Sequence, residues 1–320
     1  MPLVGIGQHS YGSDAWKAGP GAKFTNAFSF LEYAHSIGAA GVQVAIKPDE
    51  QPAAERIRKR GEELGVYLEG NVVLPKNDSE TAAFDSHIQA VKTAGGSVAR
   101  AAGLSGRRYE TFKTLADFQS FRKTSFDALT RAEPVLRKHK IKLAVENHKD
   151  WLVPEQIDIL KRLSSEWIGA LIDTGNSISL LENPYEVIDG LAPYAFSSHL
   201  KDMAVCEYQD GFLLSEVPLG TGFLDIPKIV ARLQKANPSI RLNLEMITRD
   251  PLKIPCLTDG YYVTFDHPKA SRLAATLASV KANACGNLPK TTGLSPAERL
   301  AFEDENVRKS IAWASSHLKT

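Results

Sequence analysis

Short apolar, β-branched runs alternate with longer stretches of helical period over the first 250 or so positions. That pattern predicts parallel strands joined by crossover helices. Eight runs read as strands: Val4–His9, Val42–Ile46, Tyr67–Val72, Val98–Ala102, Leu143–Asn147, Gly169–Ile172, Phe196–Leu200 and Leu242–Met246. Helical periods lie between most of them. Thr25–Ile37 carries Phe28, Leu31 and Ala34 on one face and stops at Gly38, while Glu50–Leu64 stops at Gly65. Leu115–His139 places Phe118, Phe126, Leu129 and Leu136 inward. Pro154–Leu163 and Pro184–Leu191 open on the proline that suits a first helical turn, and Ile226–Leu233 follows.

Eight strands with intervening helices predict an α/β fold, a (β/α)₈ barrel over residues 1–250 with a C-terminal helical extension. An open doubly wound sheet is the competitor, but Gly7-Gln8-His9-Ser10-Tyr11-Gly12 is not its dinucleotide fingerprint. Residues 251–320 are expected to be a loop and helices packed on the same domain. Thr248–Asp266, rich in proline, aspartate and aromatics, reads as a long loop, with helices at Pro268–Ala282 and Pro296–Ser316. Those helices are expected on the barrel's outside or in a homo-oligomeric contact.

Composition narrows the function. In 320 residues, 43% are hydrophobic, enough for a large core without disulfides or a structural metal. Lys+Arg number 38 and Asp+Glu 37, so no general attraction to nucleic acid or an anionic membrane is expected. The three cysteines, Cys206, Cys256 and Cys285, are too few and too scattered for a disulfide framework or zinc ribbon. Met1–Gly7 lacks the basic and apolar stretches of a secretion signal, so a cytoplasmic location is the expectation.

Four strand-like segments end in a residue able to bind a hard or borderline cation: Leu143–Glu146, Ala170–Asp173, Ser197–His199 and Leu242–Glu245. The strand ends of a parallel barrel converge on one mouth, so these four can share a site. Three carboxylates and an imidazole, with no thiolate, suit one divalent ion: Mn²⁺, Mg²⁺, Co²⁺ or Zn²⁺. Any one acidic residue at a strand end is ordinarily a cap or ion-pair partner; it is the joint set that points to a metal.

The segments Val145-Glu146-Asn147-His148, Ile172-Asp173-Thr174-Gly175-Asn176, Ser198-His199-Leu200-Lys201-Asp202 and Leu244-Glu245 resemble the signature of xylose-isomerase-like barrels. More narrowly, they are similar to the sugar phosphate isomerase/epimerase group, as is Leu219–Ile226 with its Gly-x-Gly. The resemblance implies that Glu146, Asp173, His199 and Glu245 hold one metal, often Mn²⁺, and that Glu146 and Glu245 form an acid/base pair. It implies a small carbohydrate or polyol substrate and an isomerase or epimerase working through an enediolate. Lyases of the same group, inosose dehydratases and 3-keto-glycoside eliminating enzymes, are the alternative, and a non-catalytic binding barrel the remoter one. A three-metal phosphodiesterase of the endonuclease IV type would need more strand-end histidines. The group's sugar epimerases carry a histidine and an arginine where this chain has Asn176 and Val205, a departure that bears on the substrate.

Further substrate contacts are read from position at the mouth. They are His148, Asn176, Lys201, Glu69, Arg249 and His9, with Gln43 at the second strand end. Lys201, two residues past His199 on the same face, either binds a carbonyl or carboxylate or pairs with a barrel carboxylate such as Glu146. Arg249 either binds an anion or forms a salt bridge. Trp16 and Trp151 either stack on a sugar or pack. Asp202 is read as structural or as a support behind the ligands, and His87 and His139, on helices without metal-spaced partners, as surface or packing residues.

Overall fold

The computed structural model describes residues 3–16, 22–48, 51–265 and 270–318. The strands are β1 (Val4–Gly7), β2 (Gly41–Val44), β3 (Tyr67–Asn71), β4 (Val98–Ala101), β5 (Lys142–Glu146), β6 (Ile168–Asp173), β7 (Ala195–Leu200), β8 (Asp202–Tyr208), β9 (Gly211–Val217), β10 (Arg241–Leu244) and β11 (Leu252–Ile254). Eight of them close a parallel barrel in the order β1-β10-β7-β6-β5-β4-β3-β2, as the alternating pattern predicts. The helices are α1 (Ala27–Ser36), α2 (Gln51–Leu64), α3 (Thr81–Thr93), α4 (Arg108–Thr111), α5 (Leu115–His139), α6 (Val153–Leu163), α7 (Pro184–Leu191), α8 (Ile226–Ala236), α9 (Ala270–Asn283) and α10 (Pro296–His317).

Local chemistry sets these boundaries. Asn26 and Ser29 form a reciprocal capping box that starts α1, and Ser295 with Glu298 does the same for α10. Glu50 and Pro268, where two helices were expected to begin, lie outside the described residues, as does Asp266. The sequence reading passed over α3, although its buried Phe84, Ile88 and Val91 recur at helical spacing.

The second departure is the three-stranded antiparallel sheet β11-β9-β8: β11 is a short strand within the long, partly ordered loop expected at 248–266, and β8 and β9 fill most of the connection after β7. β8 and β9 form a hairpin that turns at Gln209 and Asp210. Gly211 takes up a φ of +149°, and a Cβ there would stand 2.2 Å from the Ile254 carbonyl oxygen, so only glycine lets β11 dock. β11 forms because Leu252 and Ile254 are buried on either side of exposed Lys253, the period of a half-buried strand.

Helix α9 packs on β8 and β9, and α10 packs against β1 and β10. The segment between β11 and α9 is fastened by Arg108, whose guanidinium is 1% exposed. Arg108 donates to Thr264 Oγ1 at 3.0 Å, the Thr264 carbonyl at 2.6 Å and Glu155 Oε2 at 2.7 Å. It lies 3.6 Å from the Phe118 ring centroid and 4.4 Å from that of Phe265. Nearby, the Tyr261 hydroxyl donates to the Ser179 carbonyl at 2.7 Å, tying this segment to the turn at Asn176–Leu180. No helix among the described residues is long and apolar enough to cross a membrane.

Candidate metal centre and active site

Glu146 and Asp173 are the last residues of β5 and β6, His199 lies near the end of β7, and Glu245 follows β10 directly. Parallel register places Asp173 beside His199 and His199 beside Asn243, so the four side chains reach one height at the mouth. All four are buried, and one donor atom from each lies within 4.8 Å of the others. His199 Nδ1 is 3.7 Å from Glu146 Oε1, 3.7 Å from Asp173 Oδ2 and 3.5 Å from Glu245 Oε2. Two ligands about 2.0–2.2 Å from one ion stand roughly 3–3.6 Å apart, so these separations match edges of a coordination shell.

Hydrogen bonds turn Asp173 and His199 toward the cluster. Asp173 Oδ1 accepts from the backbone N–H groups of Gly175 at 2.9 Å and Asn176 at 2.8 Å, which turns Oδ2 toward the cluster. His199 Nε2 lies 2.7 Å from Gln43 Oε1, while Nδ1 has no hydrogen-bond partner among the described residues. Gln43 is itself oriented, because its Nε2 donates to Glu69 Oε2 at 3.0 Å. Gln43 Oε1 is then an acceptor, His199 Nε2 carries a proton, and Nδ1, the nitrogen left for a metal, faces the three carboxylates. An orphaned, fully buried imidazole nitrogen aimed at three carboxylates fits a divalent ion.

Electrostatics agree with that fit. Burial opposes charge on Glu146, but Arg100 beside it holds its carboxyl well below the usual range. Burial likewise opposes charge on Glu245, and His199 and Lys201 outweigh it. Burial would lower the His199 pKa, yet Glu245 and Glu146 raise it well above the ordinary value.

Four cations ring the carboxylates. Arg100, near the end of β4, donates through Nε to Glu146 Oε2 at 2.7 Å and through its terminal nitrogen to the same atom. Lys201 Nζ lies 2.8 Å from Glu245 Oε2, 3.1 Å from Asp173 Oδ2 and 3.6 Å from Glu216 Oε1 on β9. Arg249 grips Glu216 with two bonds, of 2.6 and 3.3 Å. Lys149, 2% exposed, donates to Asn176 Oδ1 and has no carboxylate within ion-pair distance among the described residues. Burial, with Lys201 nearby, lowers its pKa to about 8.

Comparison with known proteins bears on this geometry. Residues 31–275, more than half of the chain, match the profile of the xylose isomerase-like TIM barrel. The chain belongs to that family. A curated relative, the 3-oxo-isoapionate decarboxylase of Pectobacterium atrosepticum strain SCRI 1043, is 27% identical over 203 residues, 62% of this chain and 69% of the relative. Among solved structures, D-psicose 3-epimerase superposes with a TM-score of 0.63 at 13% identity, covering 99% of each chain. A xylose isomerase-like barrel protein of Mycobacterium smegmatis in complex with magnesium gives 0.58 at 14% identity, covering 87% of this chain and 98% of that one. At such identities the structural likeness speaks for the shared fold.

Within this xylose isomerase-like barrel, the other predicted residues divide. Asn176 donates from Nδ2 to Glu146 Oε1 at 2.9 Å, and its Oδ1 receives both Lys149 and, at 3.2 Å, Lys201. Lys201 is in the cluster, paired with Asp173 and Glu245 rather than with Glu146. His148 Nδ1 is buried without a partner among the described residues, and burial drops the ring's pKa to about 3, leaving it neutral. His9 lies in a helical turn at Gln8–Ser10, past the end of β1, and is exposed.

Glu69 is neither at the rim nor on the surface. It lies fully buried one layer beneath the ligands, accepting from Gln43, Ser197 and Asn243, and burial raises its pKa. Arg249 is spent on Glu216. Trp151 stacks on Phe121 at 4.9 Å and Trp16 packs on Phe24 and Phe30, so both belong to aromatic clusters. Val205 points into the core on β8, beside Ala284.

Asp202 does the structural work read for it. Its carboxylate accepts from the backbone of Met203, Gly220, Gly222 and Leu224, and a Cβ on Gly222 would stand 2.2 Å from Asp202 Oδ1, which explains the Gly-x-Gly. His87 bonds its own helix and His139 bonds Asp85. The sequence reading missed Arg100, Lys149 and Glu216. An arginine inside the apolar run Val98–Ala102 was the available signal for the first.

Proposed function

We propose that the protein is a divalent-metal-dependent enzyme that enolises a small keto-sugar, with Glu245 as the group that moves the proton. The observation that carries this reading is the unequal state of the two glutamates. Glu146 has Arg100 on one oxygen and Asn176 on the other. Glu245 meets Lys201 and His199 through Oε2, and no hydrogen bond to its Oε1 occurs among the described residues. A carboxylate oxygen without a cation on it is the better proton acceptor, so one base rather than an opposed pair is favoured.

A bound divalent ion, which we propose to be Mn²⁺ with Mg²⁺, Co²⁺ and Zn²⁺ also matching the donor set, supplies a Lewis acid for a carbonyl and its neighbouring hydroxyl oxygen. Glu245 would take the hydrogen on the hydroxyl-bearing carbon as a proton, leaving the C–H electron pair in the enediolate, and return it to the adjacent carbon, while the hydroxyl proton passes to the former carbonyl oxygen. The carbonyl moves one position and no atom is lost. Epimerisation with Glu146 as a second base requires that glutamate to leave Arg100. A lyase outcome is the second reading, favoured by the likeness to a decarboxylase: the enolate forms by loss of CO₂, the C–C electron pair staying behind, or forms by proton removal and then expels a β-hydroxyl as water.

The test is proton NMR in ²H₂O with metal-loaded protein and a panel of four- to six-carbon keto-sugars and keto-sugar acids. Solvent deuterium should enter the carbon beside the carbonyl, and Glu245→Gln should abolish it. Exchange at the wild-type rate in that variant sinks the assignment. Loss of CO₂ or water with unchanged isomer ratios selects the lyase.

A further inference from the structure

Lys149 is the group at this site that the metal chemistry does not use. Its ammonium carries three N–H donors, and one neutral acceptor, Asn176 Oδ1, is all it meets by hydrogen bond among the described residues. Lys201 donates to that same oxygen at 3.2 Å. Two ammonium groups therefore converge on one amide oxygen in a region where both lysines are 2% exposed. A buried cation without a counterion is costly, and an unpaired one is retained where a ligand supplies the missing charge.

Charge over the whole site points the same way. The carboxylates Glu146, Asp173, Glu216 and Glu245 face the cations Arg100, Lys149, Lys201 and Arg249, four against four. A divalent ion leaves the filled site with two positive charges in excess. A neutral ketose would leave that excess buried, whereas an anion offsets it. Arg249 is already neutralised by Glu216, and Lys201 is shared among Asp173, Glu216 and Glu245. Lys149 is the cation with donors to spare.

We propose that Lys149, with Lys201 at the shared Asn176 oxygen, receives a carboxylate of the substrate, so that the substrate is a keto-sugar acid rather than a neutral sugar. This rests on the metal-site reading above and adds the substrate class to it. Two ammonium groups converging on one position suit the two-oxygen acceptor that a carboxylate presents.

Calorimetric titration of metal-loaded protein with unreactive probes tests this: D-threonate, D-xylonate and D-gluconate against erythritol, xylitol and sorbitol. The wild type should bind an aldonate at least tenfold more tightly than the alditol of equal length. Lys149→Met should erase that preference with one metal per chain retained, and Lys149→Arg should keep part of it. A thermal melt checks folding, and removal of an unpaired buried charge should not lower it. Equal binding of acids and alditols overturns the inference, as does a preference that survives in Lys149→Met, since chelation of the probe by the metal alone would then explain it. Deuterium exchange is scored separately. A Glu245-dependent exchange on neutral sugars with no acid preference removes this inference alone, and a Lys149-dependent preference without exchange removes only the proposed reaction.

Discussion

Gln43 Oε1 stands 2.7 Å from His199 Nε2, and this contact across the barrel decides which imidazole nitrogen faces the carboxylates. Glutamine amides can turn over, but Glu69 Oε2 holds the Gln43 Nε2 end at 3.0 Å. Gln43→Leu should therefore weaken metal binding about 10- to 100-fold, the usual effect of losing a partner behind a metal-ligating histidine. Competition with a chelating dye measures it. A variant with wild-type affinity would show that the ring needs no such support.

Metal uptake should release a proton. The neighbouring carboxylates raise the His199 pKa in the empty site, so the ring is protonated near neutrality and must lose that proton to bind an ion. Affinity should then fall about tenfold for each unit of pH below neutral, and rise toward a plateau once pH exceeds the raised pKa. Calorimetry in buffers of differing ionisation enthalpy at pH 7 should count about one proton per ion, and a count of zero contradicts the assignment.

Arg100 and the metal compete for the electron density of Glu146. Arg100→Met should tighten metal binding, because a cation in contact with a ligand carboxylate is removed, while the metal-free protein loses about 3 kcal/mol from a buried carboxylate left without its ion pair. The two effects oppose one another in sign, and urea unfolding with and without metal separates them. A loss of metal affinity would mean that Arg100 positions Glu146 more than it competes.

Arg108 should behave as a fastener. Arg108→Met removes its bonds to Thr264 and Glu155 and should cost about 3 kcal/mol, with early proteolytic cleavage between residues 255 and 265. Limited proteolysis followed by mass spectrometry locates the cut. Global unfolding without local cleavage would count against a local role.

The barrel, and the gathering of four strand-end residues that could hold an ion, were legible because each of those residues follows an apolar run whose period is unambiguous, as in Leu143-Ala144-Val145-Glu146. The charged ring was not. Arg100, Lys149 and Glu216 come from three different segments, and their convergence depends on strand register and on the β8–β9 hairpin. That hairpin was missed because Asp202–Tyr208 carries buried Met203, Ala204 and Val205 in a row, without the clean alternation of a half-buried strand. Glu69 was placed too high for a related reason. A carboxylate near a strand end reads as exposed unless one knows that Gln43, Ser197 and Asn243 wait for it inside the barrel.

The ligands come from β5, β6, β7 and the residue after β10, whereas Gln43, Glu69 and Arg100, which orient or neutralise them, come from β2, β3 and β4. Neither half of the chain owns a finished centre. On the proposed metal reading, high-affinity capture would therefore need β1 to have met both β2 and β10, so that the ring of strands is complete. An ion held there would in effect inspect assembly: a molecule whose two halves had not joined in register would lack part of the centre and could not retain it.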